Sequence, residues 1–155
     1  MGYTEKAEVQ GRERENILAR AAAKLDQWGL KMPDVFPPVV FDFGLGDFVH
    51  SGHIEYWIAN ELEEHYCGKF LFMFDGQTCL AHHHDKKHET FFILKGKVVM
   101  HIKDGDVTMN PGDSLPMPQG TVHSFTAETD SLILEVSLPS LKGDSIFEDE
   151  RVGTI

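Results

Sequence analysis

Two glycine-bounded stretches constrain this chain more than any other feature: residues 76–96, GQTCLAHHHDKKHETFFILKG, and residues 112–123, GDSLPMPQGTVH. Between them they carry His82, His84, Glu89 and His123, three imidazoles and a carboxylate at intervals that suit a metal ion. Side chains alternate between the faces of a strand, so His82 and His84 share one face and His83 takes the other. Glu89 follows a short polar connection, residues 85–88, and heads an apolar run in which an unpaired carboxylate would be costly to bury. A cation removes that cost. His123 comes after Pro118-Gln119-Gly120, a turn whose glycine relaxes the backbone just before another strand-like run. His83 and His88 are expected at the surface or behind the ligands.

The first stretch reads G-x5-H-x-H-x4-E-x6-G through Gly76, His82, His84, Glu89 and Gly96, and the second reads G-x5-P-x-G-x2-H through Gly112, Pro118, Gly120 and His123. The pair resembles the two motifs of the cupin superfamily. That resemblance implies an all-β, single-domain jelly-roll barrel (a double-stranded β-helix) that holds a divalent metal on His82, His84, Glu89 and His123. The family pattern closes with an asparagine four residues after the last histidine, where this chain has Ala127; no ligand is lost by the change. Some cupin barrels keep the fold without the metal, but here every ligand position is filled by a residue of the right type.

At 155 residues the chain is long enough for one core and needs no second. A formal charge of -11 argues against nucleic-acid or anionic-membrane partners, which require a concentrated basic surface. Two cysteines, Cys67 and Cys79, in a chain without a charged-then-apolar leader point to a reduced, cytoplasmic setting and no disulfide framework. The longest apolar runs, such as residues 70–74, are too short to span a bilayer.

Residues 1–11 are polar and expected to be loose. Ile17, Ala21, Leu25 and Trp28 then recur at helical spacing, with Arg14, Arg20 and Lys24 elsewhere around the cylinder. This predicts one amphipathic N-terminal helix, stopped by Gly29 and Pro33, that covers the outside of a barrel or lies in a dimer contact. The expected division is a helical segment over 1–38 and the barrel over 39–155. Strands are expected over 39–43, 53–59, 69–74, 78–84, 89–94, 97–103, 122–126 and 132–137, a spacing that fits an antiparallel barrel or sandwich. Asp104-Gly105 marks a hairpin and Asn110-Pro111-Gly112 a turn. The glycine-rich residues 41–46 lack the spacing and following helix of a phosphate loop and are read as a turn. Glu61, Glu63 and Glu64 are read as a solvated connection.

Two further ionisable residues stand in apolar strands. Lys69 shares a face with Leu71 and Met73 by parity, and Glu135 lies within Leu132-Ile133-Leu134-Glu135-Val136-Ser137. At Glu135 such a charge is either paired or poised beside a cofactor, while Lys69, which opens its strand, either reaches to solvent or joins the same chemistry. A second, narrower resemblance bears on them. Tyr66-Cys67-Gly68-Lys69, Gly76-Gln77-Thr78-Cys79, Glu135-Val136-Ser137 and Phe43-Gly44-Leu45-Gly46 are similar to the corresponding parts of the cupin D-lyxose isomerases, although the connection from His84 to Glu89 is compact beside some members. This resemblance implies a metal-dependent aldose–ketose isomerase acting on a pentose or hexose such as D-lyxose/D-xylulose through an enediol. Glu135 would exchange the carbon-bound proton and Lys69 would donate to or steady the oxygen, or the reverse. The metal implied is Mn, with Fe, Zn, Co or Ni as alternatives, and the assembly implied is a homodimer. The rival readings are an Fe(II)-dependent dioxygenase-type cupin and a non-catalytic sugar-binding cupin. The tail residues Asp144, Glu148, Asp149 and Arg151 are expected to be solvated, or else to cover the barrel mouth.

Overall fold

The structure is a computed structural model that describes residues 5–155. Its helix, α1 (Gly11–Gln27), buries Ile17, Ala21 and Leu25, the residues whose spacing predicted it. The helix ends where glycine allows a left-handed turn. Gly29 sits at φ 68°, its N–H donates to the Asp26 carbonyl (3.0 Å), and the Leu30 N–H reaches back to Leu25 (3.0 Å). These paired bonds satisfy carbonyls that would otherwise be orphaned at the helix end.

Eleven strands follow in two antiparallel sheets. They are β1 (Val39–Phe41), β2 (His53–Glu61), β3 (Tyr66–Met73), β4 (Thr78–His83), β5 (Glu89–Lys95), β6 (Val98–Ile102), β7 (Gly105–Met109), β8 (Ser114–Met117), β9 (His123–Ala127), β10 (Ser131–Ser137) and β11 (Ile146–Phe147). The larger sheet runs β1-β2-β3-β10-β5-β8 and the smaller β11-β4-β9-β6-β7. This is the two-sheet barrel expected from the motifs. Strands β7, β8 and β11 lie outside the expected set. β8 contains Pro116 and survives as a strand because it is a sheet edge, where a missing N–H costs no ladder bond.

Both faces of the larger sheet are used. Leu71, Met73, Phe91, Ile93 and Ile133 face inward against Val98, Met100 and Phe125 of the smaller sheet. Ala127, at the position of the motif's asparagine, belongs to the same core. On the outer face Ile54, Tyr56, Phe72 and Leu132 pack beneath Ile17, Ala21 and Leu25 of α1, and the Trp28 and Phe72 rings lie 5.8 Å apart. The helix therefore covers the barrel's outside.

The expectation of a loose N-terminal stretch fails where it can be tested. Residues 1–4 lie outside the described residues, but from Glu5 onward the chain is bound to the edge of the sheet. The Val9 N–H donates to Val40 (2.8 Å) and the Asp42 N–H donates to Ala7 (3.0 Å), so backbone pairing at the edge strand β1 orders a segment of unremarkable composition.

Nothing lies within 4 Å of where a Cβ on Gly29 would sit, so Gly29→Ala isolates the cost of the left-handed backbone. We expect it to lose about 1 kcal/mol in urea unfolding. An unchanged midpoint would mean that the helix end does not depend on this turn.

Candidate metal centre

The four motif side chains come from the ends of three strands. His82 and His84 lie at the close of β4, Glu89 opens β5, and His123 opens β9 directly opposite His82. A bulge between Cys79 and His82 makes this possible. Without it, residues three apart would face opposite sides; with it, both Cys79 and His82 turn to the interior. All four side chains are buried, and one ligand atom from each lies within 4.8 Å of the others.

Backbone carbonyls select which ring nitrogens face the centre. His82 Nδ1 lies 2.8 Å from the Leu80 carbonyl, which belongs to the bulge, His84 Nδ1 lies 2.9 Å from that of Asp144, and His123 Nδ1 lies 2.9 Å from that of Thr121. A carbonyl only accepts, so each Nδ1 carries the hydrogen and each neutral ring presents its Nε2 lone pair inward. Burial, with His123 and His84 beside it, pushes the His82 imidazole well below its ordinary value and keeps that lone pair available.

What remains inside is electron-rich and unmatched. His123 Nε2 and Glu89 Oε1 are buried without a well-aligned hydrogen-bond partner, although His123 Nε2 is 2.9 Å and His84 Nε2 3.5 Å from that oxygen. Lone pairs facing one another at that separation repel unless a proton or a cation lies between them. Three imidazoles and a carboxylate make a donor set suited to a divalent ion of the Mn–Zn series, so the residues fit a metal.

Lys69 and Glu135 adjoin this cluster, and Lys69 shares its face with Leu71 and Met73 as parity predicts. Glu135 stands opposite Lys69 in the β10–β3 ladder, with Lys69 Nζ 3.8 Å from Glu135 Oε2. The structure adds three residues that sequence reasoning missed. Glu55 Oε1 receives Lys69 Nζ at 3.2 Å and His53 Nε2 at 3.0 Å, while Lys87 Nζ lies 2.8 Å from Glu89 Oε2 and 3.4 Å from Glu135 Oε2. The Lys69 ammonium also lies over the Trp57 ring, 4.6 Å from its centroid. A chain of alternating charge thus runs from His53 to Glu89.

Glu55, Glu89 and Lys87 are held ionised by their neighbours. Burial raises the carboxyl of Glu55, but the Lys69 ammonium and His53 outweigh it and pull it down to about 2. Burial likewise opposes ionisation of Glu89, and the Lys87 ammonium outweighs it and takes the carboxyl well below the usual carboxylate range. For Lys87 burial is unfavourable, yet Glu135 and Glu89 raise it above its ordinary value. Glu55, Glu89 and Glu135 bring three buried carboxylates to this group, and a cation beside Lys69 and Lys87 would help to balance their charge.

Aromatic side chains wall the opening. The turn over residues 41–46 is held by Asp42, whose carboxylate accepts the N–H groups of Gly44 (2.9 Å) and Gly46 (3.0 Å). It presents Phe43, at φ 60°, against Phe147 with centroids 5.3 Å apart. Phe147 in turn stacks on the His82 ring at 4.9 Å. The pocket they close has about 30 Å³ of free volume.

The expectation of a solvated tail is therefore corrected for Asp144, which is buried, and for the strand after it. Glu148 and Arg151 do stay exposed, and Asp149 is half-buried and pairs with Arg151 at 2.6 Å. His83 points away from the cluster, 3.5 Å from Asp85.

Parity could have found Glu55: in His53-Ile54-Glu55-Tyr56-Trp57 the polar residues occupy one face and Ile54 and Tyr56 the other. Nothing local marks Lys87, whose burial depends on contacts distant in sequence.

The cupin domain pattern matches residues 70–138. A D-lyxose/D-mannose isomerase of Thermosediminibacter oceani is 30% identical, over 75% of this chain and 78% of that protein. Quercetin 2,3-dioxygenase of Bacillus subtilis is 29% identical over 64% of this chain but 30% of its own length. Among solved structures, the L-ribose isomerase of Cellulomonas parahominis superposes with a TM-score of 0.75 at 16% identity, covering 97% of this chain and 96% of that one. At that identity the likeness speaks to fold.

The Glu55 carboxyl gives a pH prediction with a definite sign. Its folded value, about 2, lies below the ordinary 4.5, so its contribution is fully present above pH 4.5 and lost as pH falls towards 2. The contribution is on the order of 3 kcal/mol. Urea unfolding of the metal-free protein between pH 7 and pH 2 should show a shallower loss of stability for Glu55→Gln than for the wild type across that window. Parallel curves would count against the ion pair.

Proposed function

The chain belongs to the cupin superfamily, in the family of the D-lyxose isomerase it matches, and from that premise we propose that it is a metal-dependent aldose–ketose isomerase acting on a pentose or hexose such as D-lyxose/D-xylulose. The single observation that carries this reading is the Lys69–Glu135–Lys87 array beside the four-residue cluster. In this reading His82, His84, Glu89 and His123 hold the metal. A divalent ion there supplies Lewis-acid stabilisation of the negative charge that develops during an aldose–ketose interconversion, and Mn suffices because no redox change is required.

The chain's own residues do the rest. Glu135 takes the proton from C2 and returns it to C1, while a proton passes from the oxygen on C2 to the oxygen on C1, so the sugar changes neither composition nor oxidation level overall. In this reading Glu135 carries the proton, with Lys69 Nζ 3.8 Å and Lys87 Nζ 3.4 Å from its Oε2. Lys69 and Lys87 steady the developing enediol charge and orient the hydroxyls, with Glu55 holding Lys69 in line. The free volume of about 30 Å³ admits a water-sized group, so a sugar enters by displacing the Phe43–Phe147 wall.

The dioxygenase reading draws on the partial likeness to quercetin 2,3-dioxygenase, which uses less than a third of that protein. The two separate in one experiment. Mn-loaded protein incubated in heavy water with a pentose and hexose panel should place deuterium at C2 of the aldose and yield the ketose, without oxygen uptake. Glu135→Gln should abolish the exchange while retaining metal. A panel returned unlabelled would favour a binding protein, and oxygen uptake the dioxygenase.

Metal content is checked separately. His123→Ala and Glu89→Gln should each lower Mn retained after gel filtration by at least tenfold, read by elemental analysis, and wild-type retention in both would remove the proposed ligands.

A further inference from the structure

We propose that Asp144 is a positioning residue for the candidate metal centre, holding His84 and Lys87 in place from the C-terminal segment; the inference rests on reading His84 as a ligand. Asp144 is 6% exposed. Its Oδ1 accepts the N–H groups of Asp85 (3.1 Å) and Lys86 (3.0 Å), and its Oδ2 accepts that of Lys87 (3.0 Å). Its backbone carbonyl accepts the Nδ1–H of His84 at 2.9 Å, across 60 positions of sequence. Four consecutive residues, 84–87, therefore hang on one.

The geometry has direct consequences at the site. Three successive amides converging on one carboxylate form an anion nest whose charge-assisted bonds set the path of the connection. Asp85 and Lys86 stay exposed along that path, whereas Lys87 turns inward and its ammonium arrives 2.8 Å from Glu89 Oε2. The carbonyl bond settles which nitrogen of His84 faces the centre and which way its ring is turned.

Asp144 is anchored in its turn. Gly143 precedes it at φ 83°, and the Asp144 N–H donates to Leu141 (3.2 Å). Just beyond it, β11 pairs with β4 at His82 and His83, where Phe147 stacks on the His82 ring. The C-terminal segment thus reaches two of the three imidazoles.

The test compares the full-length wild type with Asp144→Ala and Asp144→Asn, using Asp149→Asn as a control in the same segment. Each is loaded with Co(II). Three quantities are read: Co(II) affinity by chelator competition, the visible absorption bands of bound Co(II), and amide hydrogen exchange at residues 85–87. We expect Asp144→Ala to bind Co(II) 10–100-fold more weakly, with shifted bands and faster exchange at 85–87. Asp144→Asn, which keeps one acceptor oxygen, should fall between, and the control should match the wild type.

A destabilised Asp144→Ala that keeps wild-type Co(II) affinity and bands makes Asp144 a structural anchor only and overturns the inference. Should the alanine variant not fold, the same criterion is applied to the asparagine variant. A wild type that takes up no Co(II) overturns the metal reading, and the positioning role with it, which is a different result from binding that ignores Asp144.

Discussion

The interior of this barrel is shared between oil and charge, and the separation of the two along each strand is the constraint on which the rest depends. On β3 the inward series is Lys69, Leu71, Met73; on β5 it is Glu89, Phe91, Ile93; on β10 it is Glu135 preceded by Ile133. Because these strands are antiparallel neighbours in the order β3-β10-β5, the ionisable residue of each falls at the same end of the barrel. The apolar residues then make a floor, and the charges gather at the mouth. Each charge taken singly would be expelled or neutralised by burial. Here they offset one another, through contacts of 2.8 to 3.8 Å.

That arrangement makes register a functional quantity. A slip of one residue between β3 and β10 would turn Lys69 or Glu135 outward and put an apolar residue in the mouth. Hydrophobic packing on both faces of the larger sheet opposes such a slip, since Phe72 and Leu132 must stay under α1 while Leu71 and Ile133 stay inside. The helix, although it contributes no residue to the candidate centre, thereby helps to hold the centre's register. In the smaller sheet the bulge in β4 acts in the same sense: it shifts the pleat by one residue and supplies the Leu80 carbonyl that orients His82.

Much of this is legible from residue order because it obeys local rules. Period-two alternation places His82, His84 and Lys69 on the faces they take, the apolar surroundings of Glu135 mark it as a charge that needs a partner, and the glycine and proline punctuation marks most strand ends to within a few residues. What escaped notice depends on partners far along the chain. Asp144 reads as one more acidic residue of a tail, and Lys87 as one more cation in a polar connection, until the fold brings them together. Strand β11 has only two residues, and β8 carries a proline, so neither has a pattern to detect. The ordering of residues 5–10 is likewise a property of the edge strand they meet rather than of their own composition. Glu55 is a different case. The alternation that would have revealed it was present, but a carboxylate between Ile54 and Tyr56 draws attention only once Lys69 is known to lie beside it.

The four-residue cluster by itself does not choose a reaction, because the same donor set can support proton transfer, oxygen chemistry or plain binding. The choice rests with the groups around it. Oxygen activation asks for an open coordination position and a substrate that supplies electrons, and gains nothing from two lysines bracketing a carboxylate. Moving a proton between adjacent carbons asks for a base that can return what it takes, and for positive charge near the oxygens while the enediol exists. In the proposed reading Glu135 would be that base and Lys69 and Lys87 that positive charge, with the aromatic wall of Phe43 and Phe147 to exclude bulk water. In that reading a divalent cation would offset the charge of the buried carboxylates Glu55, Glu89 and Glu135 and so favour the anion formed midway over the neutral sugar at either end, which is what catalysis by differential binding requires.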